Sequence, residues 1–399
     1  MIEDSHPRRW STLGLLAFAE LLAMSLWFAG TAVSPLLQAR WSLDATEVGW
    51  LTSIVQLGFV VGTAAAAVLN LADVVPSRYY VASSATLGAV ANILVLAGDS
   101  YPAAMVSRFF TGFCLAGVYP PAMKMAATWF RSRRGLAIGI IVGALTIGKA
   151  LPFLVRAVAW RDVSPVISIS SAFAVAGAAI VLLTYRDGPY PFAPRPFSWG
   201  LVGTVGRTRH WRLATGGYLG HMFELYSFWT WIPAFLAASA VASSQPPAES
   251  TLALIVFLVI ALGAAGCVWG GIAADRTGRE RVITIALAMS GSCAAFAGAF
   301  FGLDVYLTAA MVTVWSFFVI ADSAQFSALV TESVPAHAVG TALTMQTCLG
   351  FLLTLISIQL VPLIVARSGW AAAFAILALG PVAGILAIRR LARLRTATA

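Results

Sequence analysis

The sequence predicts an all-α membrane protein with twelve transmembrane helices in two pseudo-symmetric six-helix bundles. Three observations predict it. The first is composition: of 399 residues, 60% are hydrophobic and only 10% are charged, with a mean hydropathy of +0.87. A soluble domain carries about 25% charged residues. The second is a series of long apolar runs separated by turn-forming breaks. The third is an internal repeat. Glu20-Leu21-Leu22-Ala23, with Trp27 behind it, recurs as Glu224-Leu225-Tyr226-Ser227 followed by Trp231, an offset of 204. Ala72-Asp73 recurs as Ala274-Asp275, an offset of 202. In each copy the Glu lies inside an apolar run and the Asp closes the next one.

A crossing needs about 20 apolar residues. The runs that meet this length are 12–37, 48–70, 79–98, 102–128, 136–158, 164–184, 213–240, 251–272, 281–302, 305–328, 340–365 and 370–388. Gly98-Asp99-Ser100, Ser243-Ser244-Gln245-Pro246-Pro247 and Arg367-Ser368-Gly369 supply breaks of the kind that end helices. The first run is too long for a cleaved signal sequence and reads as a spanning helix. The longest polar interval, 185–212, is rich in Pro, Gly and Arg. It divides the chain into an N-terminal bundle (1–184), a cytoplasmic linker (185–212) and a C-terminal bundle (213–399).

Charge sets the orientation. The net charge is +9, and 23 of the 25 basic residues are Arg. With the N-terminus in the cytoplasm, 18 arginines fall on the inner side, Arg131 and Arg195 among them, against Arg40, Arg156, Arg161 and Arg367 outside. That asymmetry is the positive-inside pattern, so it argues against a nucleic-acid patch and for both termini, with 185–212, in the cytoplasm. Gln245 then faces outside. The four cysteines lie in apolar runs without metal-ligand spacing and read as small packing residues.

Charges within apolar runs carry the chemistry, because each costs at least about 2.5–3.5 kcal/mol at mid-bilayer and needs a compensating role. Glu20 and Trp27 share a face of the first run. His221, Glu224 and Trp231 form one stripe of the seventh. A carboxylate beside an imidazole suits proton exchange, so Glu20, Glu224 and His221 are candidate proton-coupling residues; the rival reading is a polar lock between helices. Lys149 lies near the middle of the fifth run, turned roughly 120° from the packing face made by Gly139 and Gly143, which points it to a cavity. It is a candidate anion anchor or an internal partner of Glu20 or Glu224. Arg108, Asp322 and Gln325 are further candidates for contact with substrate, as are the aromatics Trp27, Tyr119, Tyr226 and Trp231; the rival reading is structural pairing for Arg108 and an interhelical polar contact for Asp322. Lys124, near a helix end behind Pro120-Pro121, is expected to reach the interface by its own length.

Gly271-Ile272-Ala273-Ala274-Asp275-Arg276-Thr277-Gly278-Arg279 resembles the loop between helices of the major facilitator superfamily, Gly-x-x-x-Asp-Arg-x-Gly-Arg. The first copy is degraded to Asp73 and Arg78, with Leu69, Val74 and Pro76 replacing the other signature positions. Helix count, linker and tandem repeat extend the resemblance to essentially the whole chain. It implies a secondary transporter working by alternating access, with its site between two halves. It also implies a conformational latch formed by Asp73, Arg78, Asp275, Arg276 and Arg279, the arginines pairing with the neighbouring half when the inner side closes.

The sequence carries no nucleotide-binding loop and no nucleophile motif, so it predicts no enzyme and no bound cofactor. Energy then comes from a gradient, with the proton as coupling ion. The expected activity is proton-coupled uptake of a small organic or inorganic anion. Proton-coupled efflux of a hydrophobic or cationic compound is the alternative. The expected partners are a small-molecule substrate and the lipid bilayer, with no nucleic acid. The expected setting is a monomer in the plasma (inner) membrane.

Overall fold

The computed structural model describes residues 6–130, 133–159, 161–190, 198–244 and 246–398. Arg131, Arg195 and Gln245, which entered the charge count and the outer turn, lie outside the described residues. The chain divides into two compact units, Met1–Pro196 and Phe197–Ala399.

The first unit contains Arg9–Met24 (α1), Ala29–Ala32 (α2), Ser34–Trp41 (α3), Ala45–Val68 (α4), Leu71–Val74 (α5) and Ser77–Ile93 (α6). Tyr101–Leu115 (α7), Tyr119–Ala127 (α8), Arg134–Val158 (α9) and Val163–Thr184 (α10) complete it. The second contains Trp199–Arg207 (α11), Arg209–Ala242 (α12), Glu249–Thr277 (α13), Arg279–Phe296 (α14), Val305–Ala321 (α15), Ser323–Ser333 (α16), Val339–Leu377 (α17) and Leu379–Thr398 (α18).

Each of the twelve predicted runs is helical. Among the described residues, nine helical stretches are individually long and apolar enough to cross a membrane. The difference from twelve has a physical origin. The first run breaks into α1, α2 and α3, and the fourth into α7 and α8, so no piece of either reaches spanning length. The last two runs merge into one stretch, Ala336–Thr396. Its interruption is the predicted one: Gly369 adopts φ +77°, a backbone conformation that only glycine takes without strain. The interval 185–212 is partly helical, since α11 lies inside it and α12 starts at Arg209.

Helix starts follow local chemistry. Asp44 caps α4 in a capping box, accepting from the Glu47 amide at 2.8 Å while Glu47 accepts from the Asp44 amide at 2.9 Å. Asp162 caps α10, and Asp304 caps α15. Each of these caps opens an even-numbered run.

The repeat extends from sequence into packing. In the first unit α1 packs on α9 and α10, α4 on α7, and α6 on α7 and α10. In the second the counterparts do the same: α12 on α17 and α18, α13 on α15, and α14 on α15 and α18. Glycines set the closest approaches. A Cβ on Gly62 would come within 2.4 Å of the Phe113 carbonyl oxygen, and one on Gly266 within 2.0 Å of the Phe317 oxygen. Both residues of that contact shift by 204 positions between the copies, the offset of the Glu motif. Small residues that let backbones touch are the usual currency of helix association in membranes.

Candidate functional site

In the first unit the chemistry gathers where the first run breaks. Between α1 and α2, Ser25–Phe28 leaves the α-helical ladder. The Ser25 hydroxyl donates back to the Leu22 carbonyl at 2.7 Å, a bond that competes with the helix. Carbonyls freed at a break need new donors. Arg108, from α7, supplies them: Nη1 donates to the Leu26 oxygen at 2.8 Å, and Nη2 donates to the Trp27 oxygen. Asn92 holds the same guanidinium through its Oδ1 at 3.0 Å and is itself tied to Ile167 and Ser171. Arg156 repeats the device at the end of α2, donating to the Ala32 oxygen at 2.9 Å. The sequence placed Arg108 in contact with substrate; in the structure its guanidinium clamps the broken backbone.

The break presents Trp27, whose indole packs on the Phe59 ring at 5.0 Å. Lys149 Nζ stands over the same indole, 4.1 Å from its centroid, a cation–π contact. Lys149 is fully buried and interacts electrostatically with Glu20. Their placement follows from one helix crossing. A Cβ on Gly148 would meet the Leu21 carbonyl oxygen at 2.3 Å, so α9 touches α1 through Gly148 and Leu21. The next residue of α9 and the preceding one of α1 are the two charges. Lys149 therefore sits at the α1–α9 seam, whereas the Gly139/Gly143 argument turned it away from a packed seam; the glycine at this seam is its own neighbour. Both carboxylate oxygens of Glu20 are buried without a hydrogen-bond partner. They adjoin a cavity of about 10 Å³ lined by Leu16, Ala23, Val81, Val118 and Val181 among others, roughly the least volume that admits one water.

The second unit treats its acids differently. Glu224 is fully buried, with Oε2 accepting from the Ser290 hydroxyl at 2.8 Å and Oε1 from the Trp315 indole N–H at 2.7 Å. His221, three residues away, does not pair with it. Its Nδ1 stands 2.9 Å from Asp322 Oδ1, and its ring lies against Tyr218 and Phe326. Asp322 occupies the junction of α15 and α16, which brings it to α12. The acid–imidazole pair of this unit is thus His221–Asp322, with Glu224 close enough to feel the Asp322 charge. Trp231 has a structural task. Pro362 in α17 lacks an amide N–H and so frees the carbonyl four residues earlier; the Trp231 indole N–H donates to that oxygen, Ile358, at 2.8 Å. Tyr226 packs on Trp229 and Phe351. Tyr119 opens α8, half-buried.

Three of the five latch residues, Asp73, Arg78 and Arg279, have side-chain partners within their own units. Asp73 forms an ion pair with Lys124, whose Nζ also donates to the Ala72 oxygen at 2.8 Å; Lys124 has a partner where the sequence expected a lone interfacial cation. Arg78 lies over the Tyr79 ring and donates to its hydroxyl. Arg279 bonds Glu332 at 2.8 Å and the Gln325 amide oxygen at 3.1 Å. Arg395 joins Glu280 at 2.9 Å to Glu332 at 3.1 Å. Gln325, expected at substrate, belongs to this network, and its amide nitrogen donates to the Gly270 oxygen. Asp275 and Arg276 are exposed. Gly278 takes φ +89°, which accounts for glycine at this point of the motif.

Two buried amides carry no charge to mark them in an apolar run, and the sequence did not single them out. Asn92 anchors the Arg108 clamp. Gln56, in α4, is fully buried, and neither amide atom has a hydrogen-bond partner.

Residues 15–358 match the Major Facilitator Superfamily. Among solved structures, the chain is similar to a bacterial homolog of the human lysosomal transporter Spinster, in its inward-facing and unoccupied conformation. The TM-score is 0.69 at 15% identity, covering 98% of this chain and 96% of that one. The same homolog in its inward-facing and occupied conformation gives a TM-score of 0.67 at 16% identity, with the same coverage. No curated protein matches. At such identities the structures establish the fold, and the family match establishes membership: the chain belongs to the major facilitator superfamily and is a multi-pass membrane transporter of the secondary class.

Proposed function

We propose that the protein couples uptake of a small organic or inorganic anion to the entry of protons, with Glu20 and Lys149 at the point of coupling. One arrangement carries this reading: two opposite charges, both fully buried, flank a single helix crossing, and the carboxylate has no hydrogen-bond donor of its own. With Glu20 ionised, Lys149 is neutralised internally. A proton on Glu20 removes that competitor and leaves an ammonium beside Trp27 that needs a counter-charge in low dielectric. An anion supplies it. Loss of the proton restores the internal pair and expels the anion. Glu224 and His221 are the corresponding proton-coupling candidates of the second unit. The cavity beside Glu20 is otherwise lined by apolar side chains. It therefore suits a proton better than a sodium ion, which needs several oxygen ligands.

We propose further that both termini lie in the cytoplasm, as the positive-inside pattern supports, and that the protein is a monomer of the plasma (inner) membrane. Proton-coupled efflux of a hydrophobic or cationic compound stays as the second reading. One observation favours it: Arg108 is engaged with backbone carbonyls, which removes one of the two buried cations of the anion argument. Reconstitution in liposomes tests the choice. An inside-alkaline gradient should drive accumulation of a labelled anion with proton entry reported by an enclosed dye, and Glu20→Gln should abolish both. Anion accumulation with an unchanged pH dependence in Glu20→Gln would overturn the reading, as would expulsion of lipophilic cations in exchange for protons.

A further inference from the structure

Gln56 lies in the middle of α4. It is fully buried, and both its amide oxygen and its amide nitrogen lack partners. A primary amide brings two donors and two acceptor lone pairs. Leaving them all unmet in a packed interior is costly, and such groups are rare enough in native structures to demand an explanation.

Its position supplies one. Thr52, Gln56 and Phe59 share a face of α4 at i, i+4 and i+7. Thr52 exchanges a hydroxyl bond with Thr31 at 2.7 Å, and Phe59 packs on Trp27 at 5.0 Å. The first run and α4 therefore run in opposite directions here. Gln56 lies between Thr52 and Phe59 on the face of α4 that meets the stretch from Trp27 to Thr31, beside the break. The Trp27 ring that Phe59 touches is the ring that carries Lys149 Nζ at 4.1 Å. The Trp27 ring thus carries Lys149 from α9 and Phe59 from α4, with Gln56 one helical turn from Phe59 on the same face, and all of these residues belong to the first unit.

We infer that Gln56 is a substrate-binding residue that sets specificity. Its amide N–H donates to the anionic group attracted by Lys149, and its amide oxygen accepts a hydrogen bond from a hydroxyl adjacent to that group. The substrate class is then a hydroxylated carboxylate, not a bare inorganic anion. This inference rests on the anion-uptake reading above. A site built to bond a hydroxyl rejects the analogue that lacks it far more strongly than an apolar pocket distinguishes a methylene, because the buried polar group is left unpaired.

The experiment uses purified full-length protein and paired probes: acetate with glycolate, propionate with lactate, succinate with malate, and benzoate with mandelate. Binding is read by calorimetry and by thermal shift on the wild type, Gln56→Met, Gln56→Leu and Lys149→Ala. In at least one pair the wild type should bind the hydroxy acid about tenfold or more tightly than its partner. Gln56→Met should bring that pair within about twofold. Its melting temperature should be unchanged or higher, since removing an unsatisfied buried amide does not destabilise. Gln56→Leu serves the same purpose should the methionine variant fail to fold.

Binding that requires Lys149 but does not distinguish the paired acids would overturn the inference and leave the uptake reading standing. So would a hydroxy-acid preference that survives Gln56→Met, or a fall in melting temperature that exposes a structural role. Absence of binding by every acid to the wild type, or binding undiminished in Lys149→Ala, would overturn the uptake reading itself, and the inference with it.

Discussion

Glu20 and Glu224 hold the same place in two copies of one motif, yet their surroundings differ in kind. Glu224 accepts hydrogen bonds from Ser290 and Trp315. Glu20 accepts none and faces a charge, Lys149, across a glycine contact. The helices that carry them differ as well. The first run is broken and clamped by arginines, while α12 runs unbroken from Arg209 to Ala242. The units agree where backbones touch, as at Gly62–Phe113 and Gly266–Phe317. They diverge where polar side chains seek partners. The repeat therefore specifies a scaffold, and substitutions at a few buried positions decide what each copy of the acid does.

The largest expected effect tests the charged copy. Lys149→Ala should cost about 3–5 kcal/mol, because it strands a buried carboxylate. Adding Glu20→Gln should recover most of that loss in the double variant. Melting curves of the two single variants and the double decide it, and additive losses would show that the two charges do not stabilise each other. Arg108→Ala should follow closely, at about 3 kcal/mol or more, since several charge-assisted bonds to the broken backbone disappear together. Arg108→Lys should restore little, because one ammonium cannot fork between the Leu26 and Trp27 carbonyls. Limited proteolysis and thermal unfolding measure both.

The second unit predicts smaller losses. Trp231→Phe should cost about 1–3 kcal/mol through the unpaired Ile358 carbonyl. Replacing Pro362 with Ala in the same protein should reduce that cost, because the helix then supplies its own donor. Glu224→Gln should cost only about 1 kcal/mol, since the amide oxygen still accepts from Trp315. It should nonetheless abolish proton-driven accumulation while sparing exchange of internal for external substrate. If Glu20→Gln and Glu224→Gln destabilise equally, the contrast between the two acids is lost. The smallest effect is expected at the exposed motif: Asp275→Asn should stay within about 0.5 kcal/mol in stability and leave equilibrium affinity within a few-fold, yet slow turnover. A large loss of affinity at normal turnover would remove the latch from the mechanism.

Much of this molecule is legible in its sequence. Apolar runs of bilayer length must be helices, because only helices or closed barrels satisfy the backbone in lipid, and the runs are too continuous for alternating strands. The Glu motif announces the repeat, and Gly271–Arg279 announces the family. The polar partnerships were less legible. The stripe His221–Glu224 is real as a face of α12, yet the imidazole pairs with Asp322. The helix pattern records which residues share a face, but not which neighbouring helix arrives at it. Arg108 read as a ligand for substrate because nothing local marks Ser25–Phe28 as a break needing donors.

The sequence by itself determined the fold class, the two copies, the twelve runs and the family, since these follow from hydropathy, spacing and short-range signals along one chain. Only the tertiary structure decided that Arg108 serves the backbone, that Trp231 serves the carbonyl freed by Pro362, that Lys149 faces Glu20, and that Gln56 is left with no partner. The physical reason is that a buried polar group is defined by its partner. In this protein those partners come from other helices, at separations along the chain such as 16 residues for Arg108 and Asn92 and 127 for Trp231 and Ile358. Their approach is set by glycine contacts and helix breaks that no local pattern encodes.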